Sequence, residues 1–448
     1  MNLIWRAVYR FYRIMSWLIY WSQRRFTFAG WLVLTSFFVS ALGALDMESL
    51  SIYQAYVLLL LLLITAFVFS WFFRLNYSAT RLLPRFGTAG QAFAYRVRIR
   101  NLTSRTQNDL TLLENPADPR PSFQEWLARQ LAEEKKVRQL RLSRPQQRYN
   151  PFRIAVVSTV SVPPILPNEE VEVQVLVTPL RRGLLRLDGL TLARTDPFGL
   201  FRAFAKLRLP ETILILPKRY PLPPIAMPGT MKFQEGGVAL ASNVGQSDEF
   251  VALREYRRGD PLRRIHWRSW ARFGKPIVRE FEDEFFARHA LVLDTFCDEP
   301  FSERFEEAVS IASSFASAVR TQESLLDLLF VGAQAYCFTV GRGLAHVDQM
   351  LEILASVRVS VDKPFETLET LALNHVGAVS GCICVLLAWD EPRRRFVEKI
   401  RAVGIPVRVI IVLAEEPPKP LDPGPMRDEP ENFHTLIAGQ VEQGLSRM

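Results

Sequence analysis

Two long apolar runs dominate the first 75 residues of the chain. Phe26–Leu45 is twenty residues without a charge, and Ser49–Phe73 is another twenty-five. A bilayer core about 30 Å thick requires roughly 20 apolar residues in a helix, so each run is long enough to cross it. The pattern predicts a two-helix membrane anchor over residues 26–75. A cleaved signal peptide is the alternative for the first run, but the second run and the aromatic flanks disfavour it.

The charges beside these runs predict their orientation. The turn between the runs carries only Asp46 and Glu48, whereas arginines flank the outer ends: Arg6, Arg10, Arg13, Arg24, Arg25, Arg74, Arg81 and Arg85. Basic flanks stay in the cytosol, so we expect an integral membrane protein with both termini and the large soluble part cytosolic. Residues 1–25 mix arginines with Trp, Tyr and Phe, which predicts an interfacial amphipathic segment in contact with membrane lipid.

Beyond the anchor, apolar positions recur with a period of two. In Gln91–Asn101, for example, aromatic and β-branched residues alternate with arginines. Six or so short segments of this kind, separated by Pro, Gly and Asn, predict a β-sandwich over residues 86–220.

A charged helical insertion interrupts this pattern at about residues 117–150. Ser122 and Glu125 have the spacing of a capping box, and the helix is predicted to continue to about Leu142. Its charges indicate a solvated helix. The apolar positions that could dock on another element are Phe123, Trp126 and Leu127.

The second half of the chain has a different pattern. Residues 285–414 alternate continuous apolar strands with helices, which predicts a mainly parallel sheet covered on both faces, an α/β doubly wound domain. Residues 221–284 precede it as a linker and a charged stretch. Residues 415–448 follow as a Pro-rich tail, with a short helix predicted over Glu431–Leu445. The fold class is therefore multidomain: two transmembrane helices, a β-sandwich and an α/β domain.

Charge and cysteine content narrow the function classes. Of the net charge of +9, residues 1–85 contribute +6 through eight basic and two acidic residues, which leaves an ordinary +3 for the rest. A nucleic-acid partner is therefore not expected, because a binding groove needs the excess on the soluble part. Four cysteines, expected to be reduced in the cytosol, all lie from residue 297 onward. Cys382 and Cys384 lie in an apolar run and are expected to be core residues rather than metal ligands.

The stretch Ser247–Glu284 is the most highly charged. Between Arg257 and Arg279 it has eight basic residues and one acid, interspersed with Trp and Phe. Three interpretations remain open: a network that joins two domains, a partner-binding surface, and catalysis. The candidate residues are Glu249, Arg254, Glu255, Arg257, Arg258, Asp260, Arg264, His266, Trp267, Arg268 and Arg272. We expect Phe250, Ile265 and Trp267 to be structural, Arg257, Arg258 and Arg268 to be exposed, and His266 to form a structural hydrogen bond.

This stretch resembles the domain of unknown function 58 family. The matching residues are Glu249-Phe250, Leu253–Tyr256, Gly259-Asp260, Ile265–Trp267, Ala271-Arg272 and Val278–Glu280, with Arg182-Gly183 and Asp196–Phe201 upstream. The resemblance implies paired membrane spans, a β domain and a von Willebrand factor type A-like domain, without an established reaction. It also implies a MoxR-type AAA+ ATPase partner and other assembly proteins. The insertion at 117–150 is an addition to the family plan.

Domains of type A often hold Mg²⁺ at an Asp-x-Ser-x-Ser motif, with a Thr and an Asp from later loops. Here the motif position reads Asp294-Thr295-Phe296-Cys297-Asp298, so Phe296 supplies no oxygen and Asp298 replaces the second Ser. Asp390 could be the distal carboxylate, and Thr367 is a weak candidate for the Thr. The competing interpretation is that Asp294 and Asp298 cap the next helix.

Other catalytic chemistry is not indicated by the sequence. Cys297 and His289 are placed at opposite ends of one predicted strand, which disfavours a Cys–His dyad. A phosphate-binding Gly-Lys-Ser/Thr loop does not occur, so nucleotide hydrolysis must come from a partner. We therefore expect a non-enzymatic scaffold or adaptor without a required cofactor. The alternative is a metal-dependent hydrolase that uses Asp294, Asp298 and Asp390.

Overall fold

The computed structural model describes residues 2–43, 50–118, 120–138, 154–223, 250–257, 262, 265–281, 287–297, 302–318, 324–340, 344–361 and 363–448. The chain forms two compact units. The first comprises Met1–Lys218 with Glu299–Phe301 and Leu354–Ser356, and the second comprises Arg219–Asp298, Ser302–Ile353 and Val357–Met448.

Three helices begin the first unit: α1 (Asn2–Arg25), α2 (Phe28–Gly43) and α3 (Leu50–Trp71). Within the described residues, Ser51–Trp71 alone is long and apolar enough to cross a membrane, with a mean hydropathy of 2.4 and 6% of its most apolar window buried. The described part of the first predicted span is the 16-residue helix α2. The side chain of Thr27 accepts a hydrogen bond from the N–H of Gly30 (3.0 Å), which starts α2 at Phe28, and residues 44–49 lie outside the description.

Two sheets follow in the first unit. Their strands are β1 (Tyr77–Leu82), β2 (Phe86–Thr88), β3 (Phe93–Asn101), β4 (Leu110–Pro116), β5 (Ala155–Val157), β6 (Val160–Val162), β7 (Glu170–Pro179), β8 (Gly183–Thr195) and β9 (Arg202–Leu216). The sheet orders are β1-β3-β7-β5 and β2-β9-β8-β4-β6. Alternate residues of both sheets enter one shared hydrophobic core, which makes a sandwich. It begins at Tyr77 rather than at residue 86.

A charged pair lies inside the sandwich core. The side chains of Arg81 and Glu114 are both 0% exposed, and Arg81 Nη2 lies 2.9 Å from Glu114 Oε2. The hydroxyl of Tyr95 also donates to Glu114, and Arg81 Nη1 donates to the carbonyl of Leu209 at 2.6 Å. Burial, followed by the charge of Glu114, raises the pKa of Tyr95. The two charges are therefore buried with their hydrogen-bonding groups engaged, as buried ion pairs require.

The insertion forms α4 (Phe123–Arg138), which the sequence predicts to extend to Leu142. The capping box is confirmed, because Ser122 N–H and Oγ–H both donate to Glu125 Oε2 at 2.8 Å. Two of the apolar positions, Phe123 and Trp126, dock on aromatic residues of α1.

The second unit contains two sheets and six α-helices within its described residues. A small antiparallel pair consists of β10 (Phe250–Glu255) and β11 (Ile277–Phe281), with α5 (Trp267–Phe273) between them in sequence. The larger sheet contains β12 (Ala287–Leu293), β13 (Ser324–Val331), β14 (Ala335–Val340), β15 (Gly381–Leu386), β16 (Val407–Leu413) and β17 (Phe433–Ile437). The other helices are α6 (Glu303–Ala318), α7 (Leu344–Ser356), α8 (Glu366–Val376), α9 (Glu391–Ala402) and α10 (Val441–Leu445).

The strand order of the larger sheet is β14-β13-β12-β15-β16-β17, with β14 antiparallel to the others. Numbered from β12, this is the 3-2-1-4-5-6 order of doubly wound sheets, in which the strand order reverses beside the first strand. Every residue of β15 is buried, so both faces of the central sheet are covered. Cys382 and Cys384 lie in this core, as predicted, with their sulfur atoms 3.6 Å apart.

The segment predicted as a tail is part of the sheet. β17 pairs in parallel with β16, Met426 is fully buried, and the indole N–H of Trp389 donates to the carbonyl of Asp422 at 2.8 Å. The helix predicted over Glu431–Leu445 is wrong, because Phe433–Ile437 is a strand and only Val441–Leu445 is helical. The five residues of β17 are too few to show a helical or a strand period in the sequence, so pairing with β16 determines their structure.

Candidate functional site

The carboxylate of Asp294 lies at the carboxyl end of β12, the central strand from which the sheet extends in both directions. It is completely buried. Its Oδ1 accepts the N–H of Phe296 at 2.9 Å, and its Oδ2 accepts the N–H of Leu387 at 3.0 Å. This crevice is where doubly wound sheets bind ligands, so Asp294 occupies the position that the sequence indicates.

Arg393 fills the space between the predicted ligands. Its Nε donates to Asp294 Oδ2 at 2.7 Å, and its Nη1 donates to Asp390 Oδ2 at 2.6 Å. Its Nη2 donates to the carbonyl of Phe296 at 3.2 Å, and the guanidinium lies 4.8 Å over the ring of Phe365. Asp390 is also the N-cap of α9, because its carboxylate accepts the Arg393 N–H at 3.3 Å. The geometry thus places a permanent cation between two carboxylates.

The electrostatics of this ion triad keep the arginine charged. Burial lowers the pKa of Arg393, but the charges of Asp294 and Asp390 outweigh burial and leave the pKa above its usual value. The side chain of Arg393 is 8% exposed, and that of Asp390 is 46% exposed. The triad is therefore neutralised on its buried side and open to solvent only at Asp390.

The described residues do not fit a Mg²⁺ site. The carbonyl of Phe296 and the carboxylates of Asp294 and Asp390 already bind Arg393. In the part of the chain that the structure describes, no three His, Cys, Asp or Glu side chains are grouped as metal ligands. Thr367 lies in the first turn of α8, and Asp298 lies outside the described residues. The capping interpretation is wrong for Asp294, whose carboxylate binds Arg393 and two loop amides.

Cys297 and His289 do not form a dyad. His289 is buried within β12, whereas Cys297 follows the end of that strand. Burial lowers the pKa of His289, which favours its neutral form. The Sγ of Cys297 instead lies 4.0 Å from Arg304 Nη2. Nucleophilic catalysis by this pair is not supported.

The charged stretch of the second unit is built on the β10–β11 ladder. Ile265 bridges Val278 of β11, and both side chains are buried. The N–H of His266 donates to the carbonyl of Ile277 at 2.8 Å, and its Nδ1 lies 2.6 Å from the hydroxyl of the buried Ser269. The structural positions predicted for Ile265 and His266 are therefore confirmed.

Trp267 contradicts its predicted structural position. It is 65% exposed and stacks on Trp270 with ring centroids 5.2 Å apart. It is the first residue of α5, and the seven-residue helix turns it outward while the preceding residues join the β-ladder. Arg268, Arg272 and Phe273 are exposed on the same helix. We call Trp267, Arg268, Trp270, Arg272 and Phe273 the α5 surface.

The remaining candidates of this stretch are placed as follows. Arg254 is partly buried, and its Nη1 donates to the carbonyl of Glu255 at 3.2 Å. Glu255 accepts from Lys275 at 3.1 Å in an exposed ion pair, and Arg257 is exposed, as predicted. Four candidates lie outside the described residues: Glu249, Arg258, Asp260 and Arg264. The side-chain environment of Phe250 is also outside the description.

The turn Asp196–Phe201, for which the sequence indicates no role, contacts the apolar helices α2 and α3. Asp196 Oδ1 accepts the N–H groups of Leu200 and Phe201, both at 2.7 Å, and Gly199 has a positive φ of 73°. The backbone of Leu200 accepts the N–H of Thr27 at 3.0 Å. The Asp-Pro-x-Gly pattern signals the turn itself, but no pattern identifies what it contacts.

Comparisons with known proteins find a family match within the second unit. Residues 252–412 match the family described as "Protein of unknown function DUF58". The uncharacterized protein YeaD of Bacillus subtilis (strain 168) is 26% identical over 187 residues, which are 41% of this chain and 45% of that relative. Over residues 252–412 the chain is therefore similar to the DUF58 family. The DUF58 match includes the α5 surface and the sheet from β12 to β16, and the chain aligns with less than half of that relative.

Two solved structures share weak similarity with the chain. The CARDB domain of the PF1109 protein from Pyrococcus furiosus is 11% identical, with a TM-score of 0.17, over 32% of this chain and 91% of that one. An alpha-2-macroglobulin from Salmonella is 15% identical, with a TM-score of 0.19, over 34% of this chain and 8% of that one. Similarities at these TM-scores do not bear on fold or function.

Proposed function

We propose that this chain is a membrane-anchored, non-enzymatic scaffold or adaptor that binds a MoxR-type AAA+ ATPase during the assembly or maturation of protein complexes. The observation that carries the proposal is the α5 surface. Trp267 and Phe273 are 65% and 62% exposed, and exposed arginines lie beside them. Trp, Tyr and Arg are the residues that most often anchor protein interfaces, and aromatic residues and Arg are enriched there relative to the rest of the surface.

The fold of the second unit is consistent with this role. Its 3-2-1-4-5-6 strand order supports a von Willebrand factor type A-like domain. In the crevice of this domain, the guanidinium of Arg393 binds Asp294 and Asp390, the two carboxylates that a metal ion would require. The alternative, a metal-dependent hydrolase, requires Asp294 and Asp390 to be available as ligands, so the triad favours the scaffold.

The contacts of the first unit support a two-span anchor with both ends on one side. The α1 helix and Phe26 contact the sandwich unit, for example through Arg24 to Asn115 at 2.8 Å and Phe26 to Phe201. If α3 crosses the bilayer, a chain that returns to the same side must cross it twice. The helices α2 and α3 are neighbours, with Phe37 stacked on Tyr56 at 5.1 Å. Arginine placement makes the cytosol the shared side.

Recovery of the ATPase from native membranes tests the proposal. We expect Trp267→Ala and Arg268→Ala to reduce co-purification of a MoxR-type ATPase at least about tenfold, since interface anchors often contribute about 2 kcal/mol or more. Their melting temperatures should stay within a few degrees of the parent, because both side chains are exposed. Arg395→Ala is the matched control, as this arginine is 66% exposed on α9. Equal recovery from all variants, or unfolding of the Trp267 variant, contradicts a partner surface.

A further inference from the structure

Helix α1 repeats an apolar residue, an aromatic residue and an arginine. The repeats are Ile4-Trp5-Arg6, Val8-Tyr9-Arg10 and Phe11-Tyr12-Arg13. Positions three or four apart lie on the same side of a helix, so each residue type forms its own stripe. Successive stripes are separated by about 100° around the axis, and the apolar and arginine stripes by about 200°.

The aromatic stripe is occupied by α4. Trp5 and Tyr12 lie 5.9 and 6.1 Å from Trp126, measured between ring centroids, and Tyr9 lies 5.4 Å from Phe123. The hydroxyl of Tyr9 also donates to the carbonyl of Pro121 at 2.7 Å. Together these contacts fix the rotation of α1 about its own axis. The insertion therefore holds α1 in one orientation.

The other two stripes remain exposed. Ile4 and Phe11 are 69% and 64% exposed, and Val8 is exposed as well. The three arginines are exposed on the side of α1 opposite the apolar stripe, with the Arg6 guanidinium 6.0 Å from the ring of Phe123, and α1 contains no acidic residue. An amphipathic helix with these properties suits the boundary between headgroups and acyl chains.

We propose that α1 binds the surface of an anionic phospholipid bilayer, with its apolar stripe facing the acyl chains and its arginine stripe attracting the headgroups. The inference rests on the proposed membrane anchor, since α2 begins at Phe28, directly after α1 ends at Arg25. A helix is about 10 Å across, close to the Debye length of about 8 Å at physiological salt. The arginines therefore remain within range of the anionic surface while the apolar stripe is inserted.

Hydrogen exchange of the full chain in lipid nanodiscs tests this inference. The discs contain phosphatidylcholine alone or phosphatidylcholine with phosphatidylglycerol, and amide exchange is followed over residues 2–18. We expect exchange to be at least about tenfold slower in the anionic discs, given three arginines near the surface. The difference should disappear at about 1 M salt, where the Debye length is about 3 Å. Inorganic phosphate added to neutral discs should not reproduce it.

Variants of the exposed stripes separate the two contributions. Replacement of Arg6, Arg10 and Arg13 by Gln should abolish the preference for anionic discs. Phe11→Ser should speed exchange in both kinds of disc, because it removes apolar area from the inserted face. The matched control replaces Arg96, Arg98 and Arg100 by Gln, since these arginines are exposed on β3 and the charge change is the same. This control should keep the full lipid preference.

Two results overturn the inference. Exchange that is equally slow in both lipids and returns to a fast rate at one chain per disc means that a second copy covers α1. Exchange that is fast in both lipids means that the helix stays in water. Carbonate extraction of the same protein distinguishes this failure from failure of the anchor, because an anchored chain stays with the membrane even if α1 is unbound.

Discussion

The position of Arg393 decides what the central crevice can do. The sequence predicts that Asp294 and Asp390 lie near each other, because each follows a predicted strand of the parallel sheet, and both carboxylates do contact one group. That group is a guanidinium, at 2.7 and 2.6 Å. The sequence could not single out Arg393, since Arg394 and Arg395 follow it and only packing determines which arginine turns inward.

We predict that Arg393→Met strongly destabilises the second unit. Removal of one partner from a buried ion pair costs about 3–5 kcal/mol, because Asp294 is left with a charge that only backbone N–H groups compensate. Arg395→Met should cost less than about 1 kcal/mol, as its pair with Glu391 is exposed. Denaturant unfolding of the detergent-solubilised chain measures both.

A double variant and a metal titration complete this test. Asp294→Asn combined with Arg393→Met should be more stable than Arg393→Met alone, since no unpaired charge stays buried. Calorimetry of the parent should find no Mg²⁺ binding tighter than about millimolar, roughly −4 kcal/mol. If Arg393→Met is no more destabilising than Arg395→Met, the triad does not hold the crevice together. Micromolar Mg²⁺ binding by the parent, lost in Asp294→Ala, revives the hydrolase alternative.

At the scale of elements, the sequence predicts structure best where a period is long. The alternation in β3 and the continuous apolar run of β15 are both found as strands, because burial on one face or both faces sets each pattern. The seven residues of α5 are too few for a period, so the outward position of Trp267 is not predictable. The capping box of α4 is predictable because its hydrogen bonds are local.

The Asp196–Phe201 turn shows what the sequence leaves out at this scale. The turn is locally encoded, but its contacts with α2 and α3 depend on the fold. Gly30 approaches so closely that a Cβ atom there would lie 2.2 Å from the carbonyl oxygen of Leu200. Phe198, 47% exposed, has its ring 6.2 Å from that of Phe69 in α3.

We predict that Gly30→Ala detaches α2 from the turn or strains both, because the new methyl group meets backbone rather than a movable side chain. Overpacking of this kind costs about 1–3 kcal/mol. Asp196→Ala should have a similar cost, since the buried N–H of Leu200 and the partly buried N–H of Phe201 lose their acceptor. Thermal unfolding of the solubilised chain measures these losses.

Each of these variants has a matched control. Gly377→Ala has open space around the new methyl group and a helical backbone, so it should be neutral or slightly stabilising. Asp188→Ala removes an exposed carboxylate from β8 and should change little. Equal melting temperatures for Gly30→Ala and Gly377→Ala contradict a close helix–turn contact.

At the scale of the whole molecule, contacts between distant elements bear on the number of membrane crossings. The 16 residues of α2 correspond to about 24 Å of helix, shorter than a bilayer core of about 30 Å. The described length of α2 alone therefore favours one crossing. The contacts of α1 and Phe26 with the first unit favour two, because a single crossing by α3 would separate α1 from α4 and the sandwich. In a chain that crosses twice, Glu48 is expected on the far side of the membrane.

Cysteine labelling of intact membranes distinguishes the two topologies. In a chain whose four native cysteines are replaced by Ala, we expect an impermeant maleimide applied outside to label Glu48→Cys and not Arg395→Cys. If only α3 crosses, Glu48→Cys is also labelled and Arg395→Cys is also protected. These two probes therefore give the same result for both topologies, and a third probe is required. Arg10→Cys, on the exposed arginine stripe of α1, is protected from outside if the chain crosses twice and labelled if it crosses once. Labelling of Arg10→Cys from outside therefore contradicts the two-span anchor, and with it the docking of α1 on α4.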